Sequence, residues 1–296
     1  MKHSERAYAK INPYLAVTGR REDGYHTILS HMQAVTLCDM LDMTWEWDET
    51  DKVNVSLTCD APHLPCDDTN LIVRAAKVLL TAVGVGGSLE VKLQKQIPMA
   101  AGLAGGSADA AATLRGLNTL LGNPLTTDQL CEIGARLGAD IPFCVRCTDV
   151  PAMKAEGVGE ILTPASSLPA CTYLVIACEG EGVSTPWAYR RLDELGLTSR
   201  EEADQAYAAY ARALSGGDLS LIGKATCNCF ENVVMPERPA VPSLLEEMAA
   251  SGAVFARMSG SGPSIVGYFE DENTAASCVT KLAQKGTAAY LCRPLG

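Results

Sequence analysis

The stretch from residue 88 to residue 121 constrains this chain more than any other. Residues 88–93 (SLEVKL) alternate apolar and polar side chains, the period of a strand with one buried face. A glycine-rich turn follows at once, and then residues 107–121, whose alanine and leucine content favours helix. Gly102, Gly105 and Gly106 let the backbone of that turn approach a ligand closely. The turn ends where unpaired N–H groups and the positive end of a helix dipole suit a phosphate. Ser107 would donate from its hydroxyl there or cap the helix. Taken alone, a glycine turn before a helix reads better as a purely structural turn. Two other phosphate motifs are excluded: Gly223-Lys224 is followed by Ala225 and lacks the upstream glycine of a Walker A loop, and the glycines at 102, 105 and 106 do not fit G-x-G-x-x-G.

Charge narrows the choice of ligand. Twenty-four Lys and Arg against 35 Asp and Glu leave a net charge of -11. That balance argues against nucleic acid or an anionic membrane surface as the main partner, so an anionic ligand must be held locally. The first residues make a poor secretion signal, because Lys10, Asn12 and Pro13 interrupt the apolar stretch. No apolar run approaches the roughly 20 residues of a membrane span. The 12 Cys are scattered and read as reduced thiols of a cytoplasmic protein. Cys144 and Cys147, with Cys227 and Cys229, raise a zinc site as an alternative to small apolar filler. The four His form no H-E-x-x-H pattern.

Periodicity predicts strand at the start, where Ala7, Ala9 and Ile11 alternate with Tyr8, Lys10 and Asn12, then a turn at 20–24 and a second strand over 52–57. A helix is predicted over 70–83, capped from 67–69 and stopped by Gly84, and another over 127–137, capped by Thr127. Residues 145–170 read as loop. Beyond them the pattern gives a buried strand at 172–178, helices at 186–195, 200–214, 241–250 and 272–285, and strands at 265–269 and 288–292. Strands and helices without strict alternation point to an α+β fold in two domains, residues 1–160 and 161–296.

Several short blocks occur in a specific order. They include Ala9-Lys10-Ile11-Asn12, residues 19–26 (GRREDGYH), Asn70-Leu71, the loop at 98–109, residues 138–143 (GADIPF), residues 156–160 (EGVGE), Val183-Ser184-Thr185, residues 228–231 and residues 258–263 (MSGSGP). In this combination the chain resembles the GHMP kinase superfamily. The pairing of A-K-I-N with D-G-Y-H separates it from the mevalonate and homoserine kinases of that group. The resemblance implies a two-domain fold, the first domain like ribosomal protein S5 domain 2 and the second ferredoxin-like, and a kinase using ATP with Mg²⁺ whose ligands stay unassigned. It implies a small-molecule substrate carrying a cytidine diphosphate. Another small alcohol, or a non-catalytic nucleotide-binding relative, is the alternative.

The resemblance assigns the nucleotide to Pro98, Met99, Ala100, Ala101, Gly102, Leu103, Ala104, Gly105, Gly106, Ser107 and Ala108. It leads one to expect Gly at 100 and 104 and Ser at 108, where this chain has Ala. Asp140 becomes the base for the acceptor hydroxyl, against an alternative as the cap of the turn before Ile141-Pro142. Lys10 would neutralise developing charge or pair with Asp140; an exposed strand lysine is its plainer reading. Asn12, on the same strand face, would hydrogen-bond the substrate or its diphosphate. Tyr25 would stack on the cytosine and His26 would hydrogen-bond its edge, where otherwise they are a half-buried pair after a turn. Gly260, Ser261, Gly262 and Pro263 form a tight loop set against the nucleotide loop, or an ordinary turn leading into a strand.

Overall fold

The computed structural model describes residues 1–48, 52–180, 182–196 and 199–296. In chain order the strands and helices begin with β1 (Lys2–Arg20), β2 (His26–Trp47), β3 (Val53–Cys59), α1 (Leu71–Val83), β4 (Gly87–Gln94), α2 (Gly105–Leu120), α3 (Thr127–Ala135) and α4 (Ile141–Arg146). They continue with β5 (Ala152–Glu156), β6 (Ile161–Pro164), β7 (Tyr173–Cys178), α5 (Thr185–Leu195), α6 (Arg200–Gly216), α7 (Leu219–Ala225), β8 (Cys227–Asn228) and α8 (Glu231–Val234). The last are α9 (Ala240–Ala250), β9 (Phe255–Met258), β10 (Ile265–Phe269), α10 (Glu272–Gln284) and β11 (Ala288–Cys292). The α+β class expected from the pattern is the class found.

The chain forms two compact units, each built from discontinuous segments. The first comprises Met1–Ala9, Cys38–Ile97 and Ala104–Asp149; the second comprises Lys10–Leu37, Pro98–Leu103 and Val150–Gly296. Three stretches before residue 161, namely Lys10–Leu37, Pro98–Leu103 and residues 150–160, therefore pack with the second unit.

In the first unit, the end of β2 pairs antiparallel with β4, from Met40 opposite Gln94 to Trp47 opposite Gly87, and β4 pairs in parallel with β3. Alternation buries Leu41, Met43 and Trp45 of β2 with Leu89, Val91 and Leu93 of β4. Helix α1 turns Ile72, Ala75, Ala76 and Leu79 inward, and α2, α3 and α4 complete the core with Leu114, Leu117, Leu130 and Phe143. Two predicted caps move by a residue or more. Asn70 Oδ1, not a group in 67–69, accepts the Ile72 N–H at 2.9 Å, because the chain is extended at Asn70. Thr126, not Thr127, caps α3, in a capping box closed by Gln129. Gly84 stops α1 in the left-handed conformation, as expected.

In the second unit, four strands lie in the order β11-β7-β10-β9 with every neighbour antiparallel. Numbered by chain position within that sheet the order is 4-1-3-2, and α9 and α10 pack on it, which is the ferredoxin-like arrangement. Leu174, Val175 and Ile176 of β7 and Ile265, Val266 and Phe269 of β10 are buried at its centre. The region read as loop at 145–170 instead carries the hairpin of β5 and β6, with β5 also paired to β2 from Ser30 opposite Ala155 to Gln33 opposite Ala152. Among the described residues no helix is long and apolar enough to cross a membrane.

His31 of β2 is fully buried in this second unit, and its Nδ1 lies 2.6 Å from the Tyr210 hydroxyl. Burial pushes its pKa down to about 4. The unfolded chain therefore binds a proton that the folded one refuses, and stability is lost as pH falls from the ordinary histidine value through about 4. The loss amounts to about 3 kcal/mol. Urea unfolding followed across that window is expected to show it, and His31→Gln is expected to flatten the acid limb.

Candidate active site

Within the second unit, residues 98–103 form a loop whose carbonyls are turned into the protein. The Ser264 N–H donates to Ala101 O at 3.3 Å, the Ser259 hydroxyl to Gly102 O at 3.1 Å, and the Lys10 N–H to Leu103 O at 3.1 Å. A trans peptide points its N–H opposite to its carbonyl. The N–H groups of Gly102, Leu103 and Ala104 are therefore directed away from those anchors, an array suited to an anion. Gly102 adopts φ +77° and cannot carry a side chain: a Cβ there would stand 2.2 Å from Ser259 O. A Cβ on Gly260 would stand 2.8 Å from Gly102 O, so the loop at 258–263 and the loop at 98–103 are interlocked. Asn228 holds the former in place, donating from Nδ2 to Met258 O at 2.8 Å and Gly260 O at 2.9 Å, while Glu231 Oε1 accepts the Met258 N–H at 2.8 Å.

Lys10 and Asn12 project from one face of β1, and both are buried. Lys10 Nζ donates to Asn12 Oδ1 at 2.6 Å, Asn12 Nδ2 donates to Ser30 Oγ at 2.9 Å, and Ser30 Oγ donates to Tyr14 O at 2.8 Å. This relay fixes the Asn12 amide, so it presents the ammonium of Lys10 in one orientation. The plainer reading of Lys10 as an exposed strand lysine does not hold. Asn12 N–H in turn donates to Ser259 Oγ at 3.2 Å.

Tyr25 and His26 follow a turn in which Asp23 Oδ1 accepts the Tyr25 N–H at 3.1 Å. The Tyr25 side chain is open to solvent, with the residue 65% exposed, whereas His26 is largely enclosed. The His26 ring stacks on Tyr189 at 4.6 Å between centroids, and its Nε2 lies 2.7 Å from Asp193 Oδ1. Sequence reasoning missed Tyr189 and Asp193. Their spacing of four residues on α5, which places both on one helical face, was the available signal.

In the first unit, α2 begins at Gly105, and Ala104 in the left-handed region takes the cap position with no side-chain bond. Ser107 thus lies inside the helix and is not its cap. A Cβ on Gly138 would stand 3.9 Å from Ser107 Oγ, so the turn leading to Asp140 lies against the start of α2. Asp140 occupies the cap position of α4 and makes no side-chain cap hydrogen bond there. Arg115 of α2 secures α4, donating to Cys144 O at 2.6 Å and to Glu5 Oε1 at 3.0 Å. Ala108 is buried, with its methyl in the core of the helix layer.

Ala100 and Ala104 have φ +50° and +56°, so two of the positions where glycine was expected retain a backbone that favours it. Relief of left-handed strain is worth about 1–2 kcal/mol. The added freedom of glycine in the unfolded chain returns about 0.4–1 kcal/mol of that. Ala104→Gly is therefore expected to stabilise the protein by up to about 1.5 kcal/mol in chemical denaturation; a lower unfolding free energy would contradict this.

Residues 70–148 match the N-terminal domain of GHMP kinases and residues 207–288 match the GHMP kinase C-terminal domain. A 4-diphosphocytidyl-2-C-methyl-D-erythritol kinase of Clostridium novyi is 34% identical, with 98% of this chain and 99% of that protein covered. Its counterpart in Symbiobacterium thermophilum is 39% identical, with 97% and 98% covered. The crystal structure of a 4-(cytidine 5'-diphospho)-2C-methyl-D-erythritol kinase superposes with a TM-score of 0.79 at 30% identity, over 99% of this chain and 100% of the other. Similarity of that extent, over both domains at once, makes this chain a member of the GHMP kinase family.

Proposed function

We propose that this kinase transfers the γ-phosphoryl group of ATP to the 2-hydroxyl of 4-diphosphocytidyl-2-C-methyl-D-erythritol, a step of non-mevalonate isoprenoid precursor synthesis in the cytoplasm. The observation that carries this reading is the loop at 98–104, whose inward carbonyls leave successive N–H groups directed outward just before a helix N-terminus. Similar kinases bearing that substrate's name over nearly the whole chain support the choice of acceptor.

In this reading residues 98–108 cradle the triphosphate. The hydroxyl oxygen of the substrate attacks Pγ, its proton passes to the Asp140 carboxylate, and the bond from Pγ to the bridging oxygen breaks to release ADP. Such a transfer asks the protein mainly for positioning and charge neutralisation. Lys10, held by Asn12, neutralises charge on the transferring group. Asn12 binds the substrate beside it. Tyr25 offers an open ring for stacking on cytosine, and His26, steadied by Tyr189 and Asp193, reads the edge of the base. Among the described residues no three His, Cys, Asp or Glu side chains gather as a metal site. Mg²⁺ would then be carried chiefly by the nucleotide phosphates themselves. When bound it would supply charge neutralisation at the phosphates.

The deciding assay is ATP-dependent phosphorylation of the cytidine-linked alcohol. The wild-type protein is expected to turn over, and Asp140→Asn is expected to lose about 10²–10⁴-fold in kcat. Tyr25→Ala and His26→Ala are expected to raise KM for the alcohol and leave KM for ATP unchanged. Turnover of mevalonate or homoserine in its place favours the alternative acceptor. ATP binding without turnover of any alcohol favours a non-catalytic relative. Unchanged turnover by Asp140→Asn removes that residue from the chemistry.

A further inference from the structure

A buried ionic cluster lies at both ends of the nucleotide loop, and no step of the reaction above uses it. Lys95 follows β4 directly. Its Nζ donates to Asp109 Oδ2 at 2.8 Å and to Asp39 Oδ2, and the three side chains are 7%, 4% and 0% exposed. The backbone beside it is held as firmly: Asp60 Oδ1 accepts the Lys95 N–H at 2.9 Å, and Asp39 Oδ1 accepts the N–H groups of Gln96 and Ile97 at 2.6 and 2.8 Å. Asp109 stands one turn into α2. A Cβ on Gly105 would lie 3.1 Å from Lys95 Nζ and 3.1 Å from Ile97 Cγ2, so the ammonium is packed directly under the first turn of that helix.

The geometry points to Lys95 as a positioning residue that, through Asp109, ties the segment leading into the nucleotide loop to the helix start that follows it, and so sets affinity for the nucleotide. This rests on the reading of residues 98–108 as the ATP loop. The tie spans residues 95–97 and 105–109, the two anchors between which the loop must close. Ala104, the residue just before the helix, has a left-handed backbone that relaxes readily if the helix start is released.

Two carboxylates share one ammonium, and Asp109 Oδ1 has no hydrogen-bond partner. Burial therefore pushes the Asp109 carboxyl up to about 7, with Asp39 adding to the rise and Lys95 opposing it. Lys95 from the end of β4 and Asp39 from β2 are the charged groups that bear on it. The tie is strongest with Asp109 ionised, so nucleotide affinity rises as pH rises through about 7. Stability moves the other way. A carboxyl raised above its ordinary value contributes stability that is full below that value and is lost as pH rises through about 7.

The test measures KM for ATP, kcat and Tm from about pH 6 to pH 8.5 for wild type, Asp109→Asn and Lys95→Arg, with the cytidine-linked alcohol saturating. For wild type, KM is expected to rise and Tm to increase as pH falls. Asp109→Asn is expected to raise KM about tenfold at the alkaline end, keep kcat within about twofold, and remove the part of both pH dependences that does not belong to ATP itself. Lys95→Arg, which keeps the charge, is expected to retain the pH dependence. If Asp109→Asn fails to fold, Lys95→Met combined with Asp109→Leu removes both charges and carries the same expectation. Amide exchange of residues 98–108 in the wild type, with and without ADP, separates the two readings. No slowing by ADP overturns the loop reading and this proposal with it; slowing, with a wild-type pH profile in Asp109→Asn, overturns the proposal alone.

Discussion

The hydroxyl of Ser259 is the point on which the geometry of the loop at 98–103 depends. It accepts from the Asn12 N–H and donates to Gly102 O, joining three segments far apart in the chain. Ser259 itself is buried, and its N–H donates to Ser264 O at 2.9 Å. Each buried polar group left unpaired there would cost about 1–3 kcal/mol. With the hydroxyl in place, the Gly102 carbonyl has one direction, and the N–H of Leu103 has the opposite one. The strand that carries Lys10 and Asn12 is bonded to the same loop through Leu103 O. One small side chain thus gives the loop and the strand a common frame.

In the proposed reading of this loop and of Lys10, a chain with a net charge of -11 serves anionic ligands. No broad basic surface is needed where backbone dipoles and one oriented ammonium act at short range. The buried carboxyl groups of Asp39 and Asp109 work differently: both face the one ammonium of Lys95, inside the first unit. Surface acidity and site electrostatics are therefore separate properties of this fold. The first governs solubility and encounter, and the second is set by a few dipoles at fixed distances.

What was legible in the chain was whatever is decided locally. Helix α1 follows from apolar spacing and Gly84, β7 from a short apolar run, and the strand, glycine loop and helix from residues 88 to 121. The first 60 residues read as strand material, but the bounds of β2 were not legible. Its first half, around residues 28–35, is buried on both faces and so shows no alternation, and its Met, Gln, Ala and Leu suit helix as well. The second half does alternate, with Leu37, Asp39, Leu41, Met43 and Trp45 all buried. An aspartate on that apolar face was the one sign of the cluster at Lys95, and it becomes visible only once the strand is recognised. Ser259 and Asn228 could not be read from spacing, because the groups they bond are brought to them by the fold. The order 4-1-3-2 of the second sheet is non-local for the same reason.

Strain in this protein is not spread evenly. Among the described residues three non-glycine positions have a left-handed backbone, and two of them, Ala100 and Ala104, fall within five residues of each other in the same loop. Each costs about 1–2 kcal/mol, a sizeable fraction of the stability of a typical domain. Such a conformation persists only where its surroundings over-determine it. Here the surroundings do so twice. Hydrogen bonds from Ser264, Ser259 and Lys10 fix the carbonyls of 101–103, and the cluster of Asp39, Lys95 and Asp109 fixes the flanking residues 95–97 and 105–109. The second fixture is itself unfavourable in part, since it keeps one carboxylate oxygen buried and unpartnered. A turn needed only to connect a strand to a helix would relax by adopting ordinary φ values. Holding strain in place with a costly buried ion cluster has a physical rationale only if the exact path of the loop matters, as it does when backbone N–H groups must meet phosphate oxygens.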